Sequence, residues 1–246
     1  MDNNPLDITL RPTARETFGP FTLRRYRPFS ETERTILVLD DDFIGDAAIA
    51  AARARSIVGA IAGVELVLVG FDAACFGPLH QARGAYLTHR EFDLSMVGMT
   101  ATGQGEALED FVTDPGHFDG GQPSAILGYS LSGVFAINLL QRHETFRHLA
   151  LISPSLWLDH SLADTLSQAM ESSAERRLFL AAGERETELP PGDDKTMIER
   201  IKHTAGRLEP AFAGRMECAW HAGVDHYGAI TAAMDRAILS LSDRSR

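Results

Sequence analysis

The sequence predicts an α/β fold: a mostly parallel central sheet with helices on both faces. Two observations carry this. Short unbroken apolar runs, of the kind found in strands buried on both faces, alternate with helix-like stretches along the chain. No repeat, low-complexity tract or linker divides the 246 residues. Residues 1–246 are therefore expected to form a single domain, with 1–20 as an N-terminal extension.

Taken in order, Phe21 to Pro28 reads as an exposed early strand that stops at proline. Thr35 to Leu39 is a buried strand ending in the acidic step Asp40-Asp41-Asp42. Ala47 to Ala62 has helical spacing, and Val64 to Val69 is the next buried strand. Gly70-Phe71-Asp72 then opens a long loop running past Cys75, Gly77-Pro78 and Arg90. Glu106 to Thr113 is a short helix stopped by Asp114-Pro115-Gly116. Strands follow at Ser124–Leu127, Leu149–Ile152, Arg177–Ala181 and Met216–Trp220. Between and after them run helices at Val134–Arg142, Leu162–Ser172, Lys195–Leu208 and Ile230–Leu241.

Composition narrows the function. A hydrophobic fraction of 44% and a charged fraction of 23% suit a water-soluble globular chain. A formal charge of −11 argues against nucleic acid, because phosphate contacts need clustered cations. Arg24, Arg25 and Arg27 are expected on the exposed face of an edge strand. No apolar window is long enough to span a bilayer, so no membrane partner is expected. Met1 to Leu10 is polar and lacks a signal-like apolar stretch, which makes the cytoplasm the expected location. Cys75 and Cys218 lie far apart with no metal or redox spacing and are expected as free buried thiols. The aspartate run at 40–42 has no partner ligands at calcium-site spacing and reads as a strand-end turn. No metal or other cofactor is expected.

The stretch Ala125 to Ala136, with Gly128-Tyr129-Ser130-Leu131-Ser132-Gly133 at its centre, is the most informative. An apolar strand turns through small residues into a helix, with one serine at the apex, as in the nucleophile elbow of the α/β-hydrolase fold. Strand and helix backbones nearly touch there, so the positions two before and two after the serine must be small. Gly128 and Ser132 meet this need, with Ser132 standing where the pattern has its last glycine. Serine attacks only when a base takes its proton, and the base needs an orienting acid. In this fold the order is serine, acid, histidine. His226 sits in the loop after the last strand, between Gly223 and Gly228; His221 is its nearest rival. The acid should follow Leu178 to Gly183, where Glu184, Glu186 and Glu188 all stand; Glu186 is placed slightly ahead of Glu184, and Asp159 is a weaker alternative. The oxyanion needs backbone donors. Leu131 supplies one, and Phe71, with Asp72 next, is expected to supply the other.

Together these segments resemble the esterase family of α/β-hydrolases that includes esterase D-like and enterobactin-esterase-like enzymes. Tyr26-Arg27-Pro28 with Ile36 to Asp40 is similar to that family's entry strand and its "vLDG" strand. Val67 to Phe71 is similar to its "VGI" strand, and Arg90 to Leu94 to its "R-x-x-D-Y" segment. Gly128 to Gly133 is similar to "GHSLGG", with tyrosine for histidine and serine for glycine. Ile152 to Trp157 is close to "ISPSLWW", and Gly183 to Glu186 is similar to "GExE", which lifts Glu186 above its neighbours. Two features depart from the family: Gly45 lies late after the aspartates, and the helix before the elbow is cut short.

The resemblance implies a cofactor-free serine esterase acting on a small-molecule ester, with siderophore-type and other natural-product esters within its range. Trp157 and Arg90 would line the substrate side, although Trp157 reads equally well as a packed core aromatic. Two alternatives use the same residues differently: a biosynthetic acyltransferase or thioesterase, and a hydrolase-fold binding protein without activity. Oligomeric state is not legible in the residues.

Overall fold

The computed structural model describes residues 10–12, 15–28, 31–95, 98–118, 121–190 and 194–243. Its strands are β1 (Leu10–Pro12), β2 (Glu16–Phe18), β3 (Phe21–Pro28), β4 (Arg34–Leu39), β5 (Val64–Phe71), β6 (Glu91–Phe92), β7 (Ala101–Thr102), β8 (Ala125–Tyr129), β9 (His148–Ile152), β10 (Arg177–Gly183) and β11 (Met216–His221). Its α-helices are α1 (Asp46–Ile57), α2 (Phe76–Tyr86), α3 (Gly105–Thr113), α4 (Leu131–Arg142), α5 (Leu162–Glu171), α6 (Met197–Phe212) and α7 (Gly228–Ser242).

The main sheet runs β1-β3-β5-β4-β8-β9-β10-β11, with β2 also paired to β3. From β5 to β11 every pairing is parallel, and β1, β2 and β5 each meet β3 antiparallel. Parallel strands covered on both faces need apolar residues on both faces. In β8, Ile126 joins the core under α3 to α6, while Ala125, Leu127 and Tyr129 join the core under α1 and α7. Among the described residues no helix is long and apolar enough to cross a membrane.

The expected strands and most helices are present, with instructive differences. The described part of residues 1–20 contributes β1 and β2, which pair with β3 in the main sheet. Residues 1–9 lie outside the described residues. The loop expected after Gly70 contains α2, which holds Gly77, Pro78 and Gly84. Pro78 falls in the first turn, where a missing N–H removes no helical bond. Gly84 lets the helix touch the backbone of Thr100. Helix α1 ends at Ile57, five residues short of the expectation, and Gly59 and Gly63 follow at φ +70° and +62°.

The arginines of β3 are not an exposed face. Arg25 is buried and donates to Glu16 and to the His117 carbonyl; Arg24 forks onto Asp41, and Arg27 pairs with Glu65. Because β5 pairs with one side of β3 and β1 and β2 share the other, it is a covered strand rather than an open edge. Both cysteines are free, but Cys75 is exposed and Cys218 half-buried, since they fall before α2 and on the outermost strand.

Candidate active site

The site lies at the carboxyl ends of the parallel strands, where α/β sheets place their ligands. Ser130 follows β8 at φ 55° and ψ −118°, a conformation that costs a non-glycine residue about 1–3 kcal/mol. Packing imposes it. A Cβ on Gly128 would meet the Ser132 carbonyl at 2.7 Å and the Gly133 Cα at 2.9 Å, so strand and helix can cross this closely only without one. Ser130 N–H donates to the Ile152 carbonyl at 3.1 Å, tying the turn to β9. Ser130 is also the N-cap of α4, so the Leu131 N–H opens the helix with no carbonyl of its own turn to bond. Leu131 lines the same cavity as the serine.

His226 Nε2 lies 3.1 Å from Ser130 Oγ, and His226 Nδ1 lies 2.8 Å from Glu186 Oε2. Both distances are within proton-transfer reach. The Glu186 side chain is wholly buried, and its second oxygen accepts from the Gly183 N–H at 2.8 Å and from Ser153 Oγ. Gly183 makes the return of this turn possible. A Cβ there would fall on the carbonyl oxygens of Val224 and Asp225, which belong to the loop presenting His226. That loop turns at Gly223, φ 74°, and ends where Asp225 accepts from the Gly228 N–H at the start of α7.

Three neighbours complete the constellation. Tyr129 stacks obliquely on His226, ring centres 4.9 Å apart, and its hydroxyl donates to the His226 carbonyl at 3.4 Å. Burial pushes this phenol well above its ordinary range and so keeps it a donor. Ser155 Oγ lies 3.3 Å from Ser130 Oγ. Ser153 is buried at φ 46°, and its hydroxyl reaches Glu186. None of these three roles is read from the residues alone, although Ser153 and Ser155 both belong to the Ile152–Trp157 segment.

A cavity of about 240 Å³ opens on Ser130 and His226. Phe43, Leu94, Met99, Trp157, Leu158 and Met197 supply most of its apolar wall, with Arg83 and Glu188 as its formally charged residues. Trp157 lines this cavity and also packs against the core.

Several sequence candidates stand elsewhere. Arg90 is outside this cavity, pairing with Asp159 and lying 5.0 Å over the Phe92 ring. Asp159 is thereby occupied, and Glu184 pairs with Lys202 at 2.8 Å on the surface. His221 closes β11 and is not among the cavity residues.

Phe71 is also absent from the cavity. Its N–H donates to Asp42 Oδ2 at 3.1 Å, and the Asp72 N–H donates to the Pro20 carbonyl at 2.9 Å. The reason is strand order. The neighbour of β8 on that side is β4, not β5, so the turn after Leu39 stands beside Ser130. That turn begins with Asp40 at φ 71° and continues as one π-helical turn, Asp41–Gly45. Among the described residues no group of three or more histidine, cysteine, aspartate or glutamate side chains is placed to hold a metal ion.

Strand order, the serine turn and the histidine loop after the last strand define an α/β-hydrolase fold. Solved structures share it. Siderophore hydrolase EstA from Aspergillus nidulans superposes with a TM-score of 0.72 at 18% identity, covering 99% of this chain and 97% of its own. Siderophore hydrolase EstB from the same organism gives 0.70 at 17% identity, covering 95% and 96%. An IroE-like serine hydrolase from Shewanella oneidensis gives 0.68 at 15% identity, covering 95% of this chain and 80% of that one. No protein-family model and no curated protein sequence matches the chain.

Proposed function

We propose that the protein is a serine esterase that cleaves a small-molecule carboxylic ester through an acyl-enzyme on Ser130. The observation carrying this reading is the unbroken hydrogen-bond chain from buried Glu186 through His226 to Ser130, ending at the mouth of an apolar cavity. Glu186 accepts from Nδ1–H, which leaves Nε2 unprotonated and facing the serine hydroxyl. Ser130 Oγ attacks the ester carbonyl as its proton passes to Nε2. The tetrahedral intermediate collapses, and His226 returns the proton to the departing alcohol. Water, activated by the same nitrogen, then releases the acid and restores the serine.

The negative oxygen of the intermediate is held by the Leu131 N–H and by the turn after β4. The N–H groups of Asp41 and Asp42 open that turn and so lack partners within it. Their carboxylates do not oppose the oxyanion at close range, because Asp41 is held by Arg24 and Asp42 by the Phe71 N–H. EstA and EstB are siderophore hydrolases, and by likeness of fold a siderophore-type ester is the substrate class we assign.

Intact-mass labelling with a fluorophosphonate tests the reading. One adduct per chain is expected, absent in Ser130→Ala and much slower in His226→Ala, together with hydrolysis of a cyclic ester siderophore. A folded native protein that takes no label would overturn it.

A further inference from the structure

We propose that Arg83, reaching in from α2, is a positioning residue that clamps the turn after β4 against Ser130 in the shape needed to receive the oxyanion. The inference rests on the esterase reading and adds a residue that neither the motifs nor the chain order point to.

Asp40 is the first residue of that turn and holds a left-handed backbone, φ 71° and ψ 50°, without being glycine. Such a conformation is unfavourable for a residue with a side chain and persists only where surroundings enforce it. Its side chain is wholly buried. Burial pushes the carboxyl up from its ordinary range, with Arg83 the chief opposing influence. Arg83, itself 4% exposed, donates to both carboxylate oxygens through Nε at 3.0 and 2.9 Å, and its Nη2 lies 2.7 Å from Oδ2 as an ion pair.

The same guanidinium lies 4.1 Å from the centre of the Phe43 ring. One side chain therefore grips both the start of the turn and a residue three positions on. Arg83, Phe43 and Ser130 line one cavity, and β4 pairs with β8 up to Val38–Leu127, two residues before Asp40. The backbone N–H groups between Asp40 and Phe43 are thus bounded on one side by the β4–β8 pairing and on the other by Arg83. A donor displaced by about 1 Å from a developing oxyanion loses most of its effect, which amounts to about 10²-fold in rate.

The test first establishes that the native protein is labelled by a fluorophosphonate. Failure there sinks the esterase reading itself, independently of Arg83. Arg83→Met, Arg83→Lys and the double variant Asp40→Asn with Arg83→Met are then compared on p-nitrophenyl acetate, with rates expressed per folded molecule. Arg83→Met leaves a buried carboxylate alone, so its fold is the most at risk. The double variant removes that charge, and asparagine tolerates the left-handed backbone.

The expected result is a fall in kcat of about 10²-fold in the double variant and in Arg83→Met if it folds, with KM within about threefold. Arg83→Lys, which keeps the charge but not the fork, should recover part of the loss. A purely structural role would lower stability while leaving kcat per folded molecule unchanged. A kcat within threefold of native in the folded double variant, or no recovery in Arg83→Lys, would overturn the proposal.

Discussion

The Ser132 hydroxyl closes on the backbone of Tyr129 from both sides, accepting from its N–H at 2.9 Å and donating to its carbonyl at 2.8 Å. This gives a physical reason for serine where the elbow pattern has glycine. The strand ends at Tyr129, and its last polar groups would otherwise be buried without partners. Ser132→Ala should cost about 1–3 kcal/mol in urea unfolding, the penalty for leaving a buried donor unpaired. Fluorophosphonate labelling of the folded variant should stay within a few-fold of native. An unchanged unfolding midpoint would mean that the serine is only a small residue there.

Glu186 and Glu184 provide a direct contrast. Glu186 is buried with its oxygens on His226, Gly183 N–H and Ser153, whereas Glu184 sits on Lys202 at the surface. Glu186→Gln would present an amide N–H to His226 Nδ1 and favour the wrong tautomer. A loss of 10²- to 10⁴-fold in kcat is expected. Glu184→Gln should remain within twofold. Equal losses in the two variants would remove Glu186 from the orienting role.

Much of this arrangement was legible because local chemistry and chain order agree. The elbow must be built of small residues, and the acid and histidine must follow particular strands, so Ser130, Glu186 and His226 stand together as expected. What could not be read was the lateral order of the strands. Phe71 reads as a donor because it ends an earlier strand and belongs to the segment similar to the family's "VGI" strand, but β4 is the strand that pairs with β8. Helix α2 was hidden by its own glycines and proline, and with it the Arg83–Asp40 pair. Arg90 was drawn to the site by a motif, yet Asp159, a residue far along the chain, holds it outside.

Gly183 has a consequence for the histidine rather than for the acid. Its absent side chain is the space through which the Val224 and Asp225 carbonyls pass, and Arg185 N–H returns a bond to Val224 at 2.8 Å. Gly183→Ala should therefore push the 222–227 loop outward and move His226 away from Ser130. Labelling should slow by at least about 10²-fold, more than the accompanying loss of stability can explain. Native labelling in the folded variant would show that the loop can yield without moving the imidazole.

His148 begins β9 at the end of the sheet opposite the serine, and it sets a pH dependence of folding that is independent of catalysis. Its ring is largely buried and lies in the field of Arg34, Arg177 and Arg147, with Asp243 opposing them. Burial, then the arginines, lower its pKa from 6.5 to about 4. The unfolded chain binds a proton there near 6.5, while the folded chain resists it until about 4. Between these values the unfolded state carries more protons, so stability rises with pH across this window and is flat above it. After allowing for solvent reaching the arginines, the effect is about 1–2 kcal/mol over the whole window. Carboxylates titrate near its lower end, so the comparison must be differential. Urea unfolding of native protein and His148→Gln at several pH values from 4 to 7.5 isolates it. The stability difference between the two proteins should be constant above pH 6.5 and should shift in favour of His148→Gln as pH falls toward 4. A difference that does not change with pH would mean that His148 is charged as readily in the folded chain as in the unfolded one.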